Sequence, residues 1–266
     1  MSAGLAEFEQ VYRLMQALTA VAMIVVGLEW QALQAGGLVR DVWRNATLRR
    51  WWGWRRQLMT DAITRTVPIV QVTCATLLLL AAMLDDRRDP MGSLAAAALA
   101  CTVWHTAVRV RGTMNGGSDG MLFTVLLSLA VATAPVPPIV QQGALLYVAA
   151  QVLLSYLRAG WVKVRERDWW TGDALAAFLA VPAYAAPHWM PRRRSLLQPL
   201  SLAVMCFELS APAALLSVRA AYAYTAAALA FHVATAVLFG LNRFVLAWSA
   251  ALPAVWFAAH RVHAAN

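Results

Sequence analysis

Long apolar runs separated by short charged segments occupy most of the chain. They cover residues 11–34, 62–84, 93–110, 120–136, 139–159, 196–217, 219–240 and 244–259. A helix that crosses a bilayer needs about 20 mostly apolar residues, and most of these runs approach that length. The last two runs form either one long bent helix or two spans. The pattern predicts an all-α, polytopic transmembrane helix bundle with about 7–8 spans.

The composition of the chain agrees with a membrane location. Hydrophobic residues make up 61% and charged residues 13%, whereas soluble domains average about 45–50% and about 25%. The formal net charge is +9, and the arginines lie in short blocks between the apolar runs. Such blocks are typical of residues that face anionic lipid headgroups. We therefore expect membrane lipid, and no nucleic acid, as a partner of a multi-pass protein with one membrane domain over residues 1–266.

The connecting segments indicate how the spans are arranged. Residues 173–187 are apolar but short, and Pro182 interrupts them, so we predict an interfacial or re-entrant helix there. The loops at 35–61, 111–119 and 160–195 hold most of the basic residues and are expected on one side of the membrane. The positive-inside rule places that side in the cytoplasm.

Several ionisable side chains interrupt the apolar runs. Inserting one such charged side chain into the membrane costs roughly 2.5–3.5 kcal/mol, so it usually has an ion-pair or hydrogen-bond partner or a function. Glu208 either forms a structural ion pair with Arg158 or Arg109, or it acts as a proton acceptor or orients a catalytic cation. His105 and His232 each stand alone, and each forms either a helix–helix contact or part of a site. The histidines lack HExxH or HxH spacing, so no metal site is predicted.

Two loops each contain several polar residues close together in the sequence. The segment 109–121, RVRGTMNGGSDGM, places Asn115 and Asp119 beside paired glycines, either as a capped turn or as polar groups of a site. The segment 155–175, SYLRAGWVKVRERDWWTGDAL, contains Lys163, which is the only lysine of the chain. Every other basic residue of the Lys and Arg type is an arginine.

These segments together resemble the HTTM membrane domain family, which includes the vitamin K-dependent gamma-carboxylases. The most recognisable element has Tyr-x-x-Ala-Gly, then a lysine, then a tryptophan before a glycine; it corresponds to Tyr156, Ala159, Gly160, Lys163, Trp169 and Gly172. Further matches follow in the family's order: Trp104, Asn115 to Asp119, Glu208 to Ala211, and the pair Phe231 and His232.

The resemblance implies that Lys163 is a general base acting on a reduced quinone of the menaquinone or vitamin K type, or on a peptide substrate. A lysine in apolar surroundings can act as a base near neutral pH, whereas an arginine stays protonated. His232 and Glu208 would be the other catalytic residues, shaping or protonating the pocket. The pocket for substrate or cofactor would comprise Asn115, Asp119, His105, Trp169 and Gly160.

Two departures separate this sequence from the carboxylases. Gly116, Gly117 and Ser118 stand where the carboxylases carry a histidine, and no large soluble peptide-binding domain accompanies the spans. In length the chain is similar to SdpB-type sporulation-delaying-protein maturation factors of bacteria. The resemblance therefore implies a peptide modification or maturation enzyme of a bacterial plasma membrane, with a peptide substrate and a separate soluble or membrane partner protein.

Two other functional classes remain open on the sequence. The first is a non-catalytic membrane subunit, transporter or toxin-immunity factor, in which the buried charges form structural ion pairs. The second is a lipid- or quinone-metabolising enzyme without a peptide substrate. Lys163→Arg distinguishes the enzymes from the first class, since arginine keeps the charge but cannot act as a base.

Overall fold

A computed structural model describes residues 3–36, 60–84, 90–111, 117–184 and 186–264. Within these ranges the structure contains α-helices, short 3₁₀ helices and no strands, which confirms the all-α prediction. The α-helices are α1 (Ala3–Ala35), α2 (Asp61–Met83), α3 (Met91–Arg111), α4 (Ser118–Ala132), α5 (Pro138–Arg165), α6 (Arg167–Thr171), α7 (Asp173–Leu179), α8 (Arg194–Leu209), α9 (Val218–Phe239), α10 (Asn242–Ala251) and α11 (Pro253–Ala264). The 3₁₀ helices are Met190–Arg192 and Ala211–Leu215.

Six stretches of the described chain are long and apolar enough to cross a membrane. They are Glu7–Ala35, Asp61–Met83, Met91–Arg109, Pro138–Arg165, Val218–Phe239 and Asn242–Ala264. The predicted run 120–136 instead forms the shorter apolar helix α4, and the run 196–217 is divided between α8 and a 3₁₀ helix. The structure is therefore that of a multi-pass helical membrane protein.

Glycine and proline determine where the C-terminal helices end. Gly240 adopts a positive φ of 69° at the end of α9, a conformation that glycine adopts without steric cost. The last two apolar runs are therefore separate elements and not one bent helix. Pro253 begins α11, where its missing amide hydrogen is tolerated. Pro212 lies in the first turn of the 3₁₀ helix that follows α8.

The contacts divide the chain into two units, Met1–Leu145 and Leu146–Asn266. In the N-terminal unit, α1 packs on α2, α2 on α3, and α3 on α4. Pro68 lies inside α2 and cannot donate a hydrogen bond to the carbonyl of Thr64. The side-chain amide of Gln34 on α1 donates to that carbonyl instead, at 3.0 Å. This contact offsets the loss of one helix hydrogen bond.

In the C-terminal unit, α9 packs on α10, α11 and the second 3₁₀ helix, and α6 and α7 pack on α8. The helix predicted at 173–187 is shorter than expected, because α7 ends at Leu179. Gly172 precedes it with a positive φ of 80°. A β-carbon at Gly172 would lie 2.7 Å from the backbone nitrogen of Gln198, so only glycine permits this approach of α7 to α8.

Candidate functional site

Helical periodicity brings the central residues of the site onto facing surfaces. Tyr156, Gly160 and Lys163 are spaced by four and three residues along α5, so they share one face of that helix. The buried residues of α8 also form one face: Leu197, Ser201, Met205 and Glu208. The two faces meet near the ends of α5 and α8.

Gly160 permits the close approach of these two helices. A β-carbon at Gly160 would lie 2.9 Å from Cγ of Leu209 and 3.0 Å from Cβ of Glu208. It would also lie 3.0 Å from the backbone nitrogen of Leu209. Any larger residue would therefore push α8 away from α5. Gly160 therefore contributes to the site by allowing the close contact of the two helices, since it has no side chain that could take part in the chemistry.

The close approach allows Lys163 to pair with Glu208. The Lys163 Nζ atom donates to both carboxylate oxygens of Glu208, at 2.7 Å each. The Glu208 side chain is 4% exposed and that of Lys163 is 18% exposed. Nζ also lies 5.0 Å from the ring centre of Trp169, within the range of a cation–π interaction. Good geometry is required here because both charges are largely removed from water.

The sequence left Arg158 and Arg109 as possible partners of Glu208, and both are wrong. Arg158 is exposed on α5. Arg109 donates instead to Oδ1 of Asp61 at 2.8 Å. Glu208 therefore has Lys163, the only lysine of the chain, as its partner. The prediction placed both residues in one catalytic site but named only arginines as ion-pair partners of Glu208.

His232 is held by a second polar contact to α5. The hydroxyl oxygen of Tyr156 lies 2.6 Å from Nε2 of His232, and both side chains are buried. The His232 ring stacks against Trp248, with ring centres 4.9 Å apart, and against Phe244 at 6.3 Å. The imidazole is therefore fixed from two directions by rings and from a third by Tyr156.

Tyr156 is also the centre of an aromatic cluster, which comprises Tyr156, Phe207, Tyr224, His232 and Trp248. The ring centre of Tyr156 lies 5.4 Å from that of Phe207, 5.7 Å from Tyr224 and 4.7 Å from Trp248. Phe207 immediately precedes Glu208 along α8. The aromatic cluster thus lies next to the ion pair.

Three polar atoms of the aromatic cluster are buried without a hydrogen-bond partner among the described residues: Tyr224 Oη, His232 Nδ1 and Trp248 Nε1. Leaving such an atom unsatisfied costs about 1–3 kcal/mol. The indole nitrogen can only donate, and the phenol and imidazole can donate as well. Each of the three atoms is therefore a buried polar group without an acceptor among the described residues.

The remaining predicted residues lie elsewhere. His105 is buried on α3, where it lines a cavity of about 10 Å³ with Gln34, Thr64 and Arg109. Asp119 lies in the first turn of α4, where a negative charge interacts favourably with the helix dipole. Both belong to the N-terminal unit, and Asn115 lies outside the described residues.

The structure thus brings together Lys163, Glu208, Trp169 and Gly160, and it joins His232 to the same face of α5 through Tyr156. Sequence reasoning did not single out Tyr224 or Trp248. Tyr224 lies eight residues before His232 and on the same buried face of α9, which was a usable signal. Nothing in the sequence around Trp248 indicated its proximity to His232, because that contact joins two different helices.

No protein-family model matches the chain, and neither a curated protein nor a solved structure matches it significantly. No group of three or more His, Cys, Asp or Glu side chains in the described ranges could hold a metal ion. The fold and site therefore define a class, an all-α multi-pass membrane protein. Its C-terminal unit contains a buried lysine–glutamate pair next to a tyrosine–histidine pair.

Proposed function

We propose that the protein is a membrane-embedded enzyme that modifies or matures a peptide, with Lys163 as its general base. The observation that carries the proposal is the contact of the only lysine with both oxygens of buried Glu208, at 2.7 Å each. A carboxylate in this position can orient the amine and accept or return its proton. A lysine can act as a base when its surroundings favour the neutral amine, whereas an arginine stays protonated.

The residues Tyr156 and His232 extend this chemistry. Their hydrogen bond of 2.6 Å joins two groups that can each hold or pass on a proton. The stacked rings of Trp248 and Phe244 exclude water from the imidazole. We assign Lys163 and Glu208 to proton removal, and His232 with Tyr156 to shaping the pocket and supplying a proton.

A reduced quinone of the menaquinone or vitamin K type is the proposed cofactor. The unpartnered polar atoms of Tyr224, His232 and Trp248 support this choice, because such groups donate hydrogen bonds to quinone oxygens. When bound, the reduced quinone would, together with dioxygen, supply a base stronger than any side chain can provide. Membership in the HTTM family, with an SdpB-like role in a bacterial plasma membrane, is part of the same proposal.

The peptide substrate and a separate partner protein follow from that proposed role. Exposed hydrophobic side chains on helices such as α9 would face lipid, so a peptide would reach the site from a membrane surface. A soluble or membrane partner would then present the peptide at the end of α5 that carries Lys163.

The test is the substitution Lys163→Arg, which keeps the charge but removes the ability to act as a base. We expect matured product, measured by mass spectrometry of peptides from cells that produce the protein, to fall by about 10²- to 10⁴-fold. The thermal midpoint of the purified variant should stay close to that of the parent, since arginine can still pair with Glu208. The control is Arg158→Lys, a charge-preserving exchange at an exposed position of the same helix. Full product from Lys163→Arg would refute the base role.

A non-catalytic membrane subunit, transporter or toxin-immunity factor is the second candidate. It is favoured by the bidentate geometry of the pair, because an amine engaged with two carboxylate oxygens is also what a structural ion pair requires. In that case Lys163→Arg should be tolerated, and Glu208→Leu should reduce the amount of folded protein. The same two variants, scored for product and for folded yield, separate the candidates.

A further inference from the structure

A hollow in the C-terminal unit lies outside the site described above. It is a cavity of about 420 Å³ lined by Trp189, Arg193, Ser195 and Leu196, and we refer to it as the Trp189–Leu196 hollow. Small-molecule sites usually measure about 300–1,000 Å³, so the hollow is large enough for a ligand. Its lining combines an indole and a leucine with a guanidinium and a hydroxyl. Such a lining suits a ligand with one apolar and one anionic part.

The charge around the hollow is not neutralised by the protein. Arg192, Arg193 and Arg194 follow one another and are all exposed. Arg194 is paired with Asp173, at 2.7 Å between Nη2 and Oδ1. In the part of the chain that the structure describes, neither Arg192 nor Arg193 has an acidic partner. Two adjacent arginines thus leave positive charge at the hollow for an external anion.

The apolar side chains at the hollow are also uncovered. Trp189 is 57% exposed and Leu196 is 41% exposed. A tryptophan beside arginines is typical of the membrane–water interface, where the indole lies at the level of the lipid headgroups. A free inorganic anion would satisfy the arginine but would leave these two apolar side chains in contact with water.

The packing of the unit places the hollow near the end of a membrane span. The spanning helix α5 ends at Arg165, and α6 begins at Arg167. Helix α6 then packs on α8, where the hydroxyl of Ser201 donates to the carbonyl of Trp169 at 2.5 Å. The hollow lies at the start of α8. It is therefore close to the level at which the chain leaves the membrane.

We propose that the Trp189–Leu196 hollow binds the headgroup of an anionic phospholipid. The phosphate accepts hydrogen bonds from the guanidinium of Arg193 and the hydroxyl of Ser195, which together match its oxygens. The glycerol and the first acyl carbons cover Trp189 and Leu196. Arg192 adds a second positive charge, which favours a lipid with net negative charge over one that carries a choline group.

The test compares two lipids that differ in net charge. The purified protein in detergent is titrated with phosphatidylglycerol and with phosphatidylcholine, and bound lipid is measured by native mass spectrometry. One basic side chain near the membrane surface contributes about a fivefold change in lipid affinity. We expect phosphatidylglycerol to bind at least about fivefold more tightly than phosphatidylcholine, and Arg193→Gln to remove that preference.

The matched control is Arg194→Gln, which removes the neighbouring arginine that Asp173 already engages. We expect it to keep the lipid preference within about twofold of the parent, because Arg194 does not line the hollow and its guanidinium is held by Asp173. Equal binding of the two lipids, or an equal effect of Arg194→Gln and Arg193→Gln, would overturn the proposal. So would competition by glycerol 1-phosphate at the same concentration as the lipid, since the apolar wall would then contribute nothing. Arg193 is exposed, and an unchanged thermal midpoint will show that the variant is folded.

Discussion

Each unit of the protein contains an ion pair in which one side chain is almost fully buried, and these two pairs are built in opposite ways. In the N-terminal unit the Arg109 side chain is 1% exposed, while its partner Asp61 is 63% exposed. In the C-terminal unit the order is reversed, because the Glu208 carboxylate is 4% exposed and the Lys163 side chain is 18% exposed. One pair therefore buries the cation, and the other buries the anion.

The residue types give this difference a chemical meaning. An arginine stays protonated in any protein environment, so the pair of Arg109 with Asp61 can only neutralise charge. Arg109 also donates from Nε to the hydroxyl of Thr64 at 3.2 Å, which adds to a fixed structural contact. A lysine can lose its proton to a neighbouring carboxylate. The pair of Lys163 with Glu208 can therefore change its charge state without any change in packing.

Removing each carboxylate is the strongest way to test the comparison. We expect Asp61→Asn to lower the free energy of unfolding by about 3 kcal/mol, at the low end for a broken buried pair because Asp61 is partly solvated. The guanidinium of Arg109 cannot discharge and would remain charged in the protein interior. Glu208→Gln should cost less, because Lys163 can release its proton and become neutral. Both values can be measured by denaturant titration of the purified protein in detergent.

The comparison fails if the order of the two costs is reversed. A larger loss for Glu208→Gln would mean that Lys163 stays charged after its partner is removed, as an arginine would. That result would count against Lys163 as a base, independently of any product measurement. Arg13→Gln provides a reference for the method, since the Arg13–Glu9 pair joins successive turns of one helix and such pairs contribute about 0.3–0.5 kcal/mol.

A second substitution disturbs only the lysine pair. Gly160→Ala would place a β-carbon 2.9 Å from Leu209 and 3.0 Å from Glu208. We expect α8 to shift and the free energy of unfolding to fall by about 2 kcal/mol, as for an overpacked core. The control is Gly143→Ala on the same helix, where no atom lies within 4 Å of the added β-carbon. That change should stabilise the protein by about 0.5–1 kcal/mol, because alanine favours a helix interior over glycine.

The contrast between the two glycines decides whether Gly160 is needed for close packing. If both substitutions have the same sign and size, the approach of α5 to α8 does not depend on the absence of a side chain. If Gly160→Ala alone lowers stability, the contact that positions Lys163 next to Glu208 is confirmed as a steric requirement.

Hydropathy was sufficient to predict most of the fold. The six candidate spans coincide with predicted apolar runs, because span length depends on a local property of the chain. The break between α8 and its 3₁₀ helix was not predicted. The sequence there continues to be apolar through Ala211, Pro212 and Ala213, and hydropathy does not distinguish a continuous helix from a helix that changes its hydrogen bonding. Gly240 was a sufficient signal for separate helices, although the sequence left both options open.

The site was predicted less completely, for a different reason. The prediction placed Gly160 and Lys163 in the loop that follows the run 139–159. In the structure α5 continues to Arg165, so both residues share one helix face with Tyr156. The pairing of Lys163 with Glu208 joins residues 45 positions apart, and no periodicity relates two helices. The prediction grouped Lys163 and Glu208 in one catalytic site through the family resemblance alone, and it named only arginines as ion-pair partners of Glu208. The contribution of Tyr224 and Trp248 depends on the packing of α9 and α10 around Tyr156, which likewise requires coordinates.

The smallest expected effect sharpens the comparison within the C-terminal unit. Tyr156→Phe removes the hydroxyl that lies 2.6 Å from Nε2 of His232 and keeps the ring contacts of the aromatic cluster. We expect the free energy of unfolding to fall by about 1 kcal/mol, the usual net value of one buried hydrogen bond. The matched control, Tyr222→Phe, changes an exposed tyrosine on α9 and should have almost no effect.

Product formation supplies the decisive measurement for Tyr156→Phe, because a purely structural hydroxyl would affect stability alone. A loss of product well beyond the loss of folded protein would place Tyr156 with His232 in proton transfer, and an equal loss of both would restrict the pair to packing.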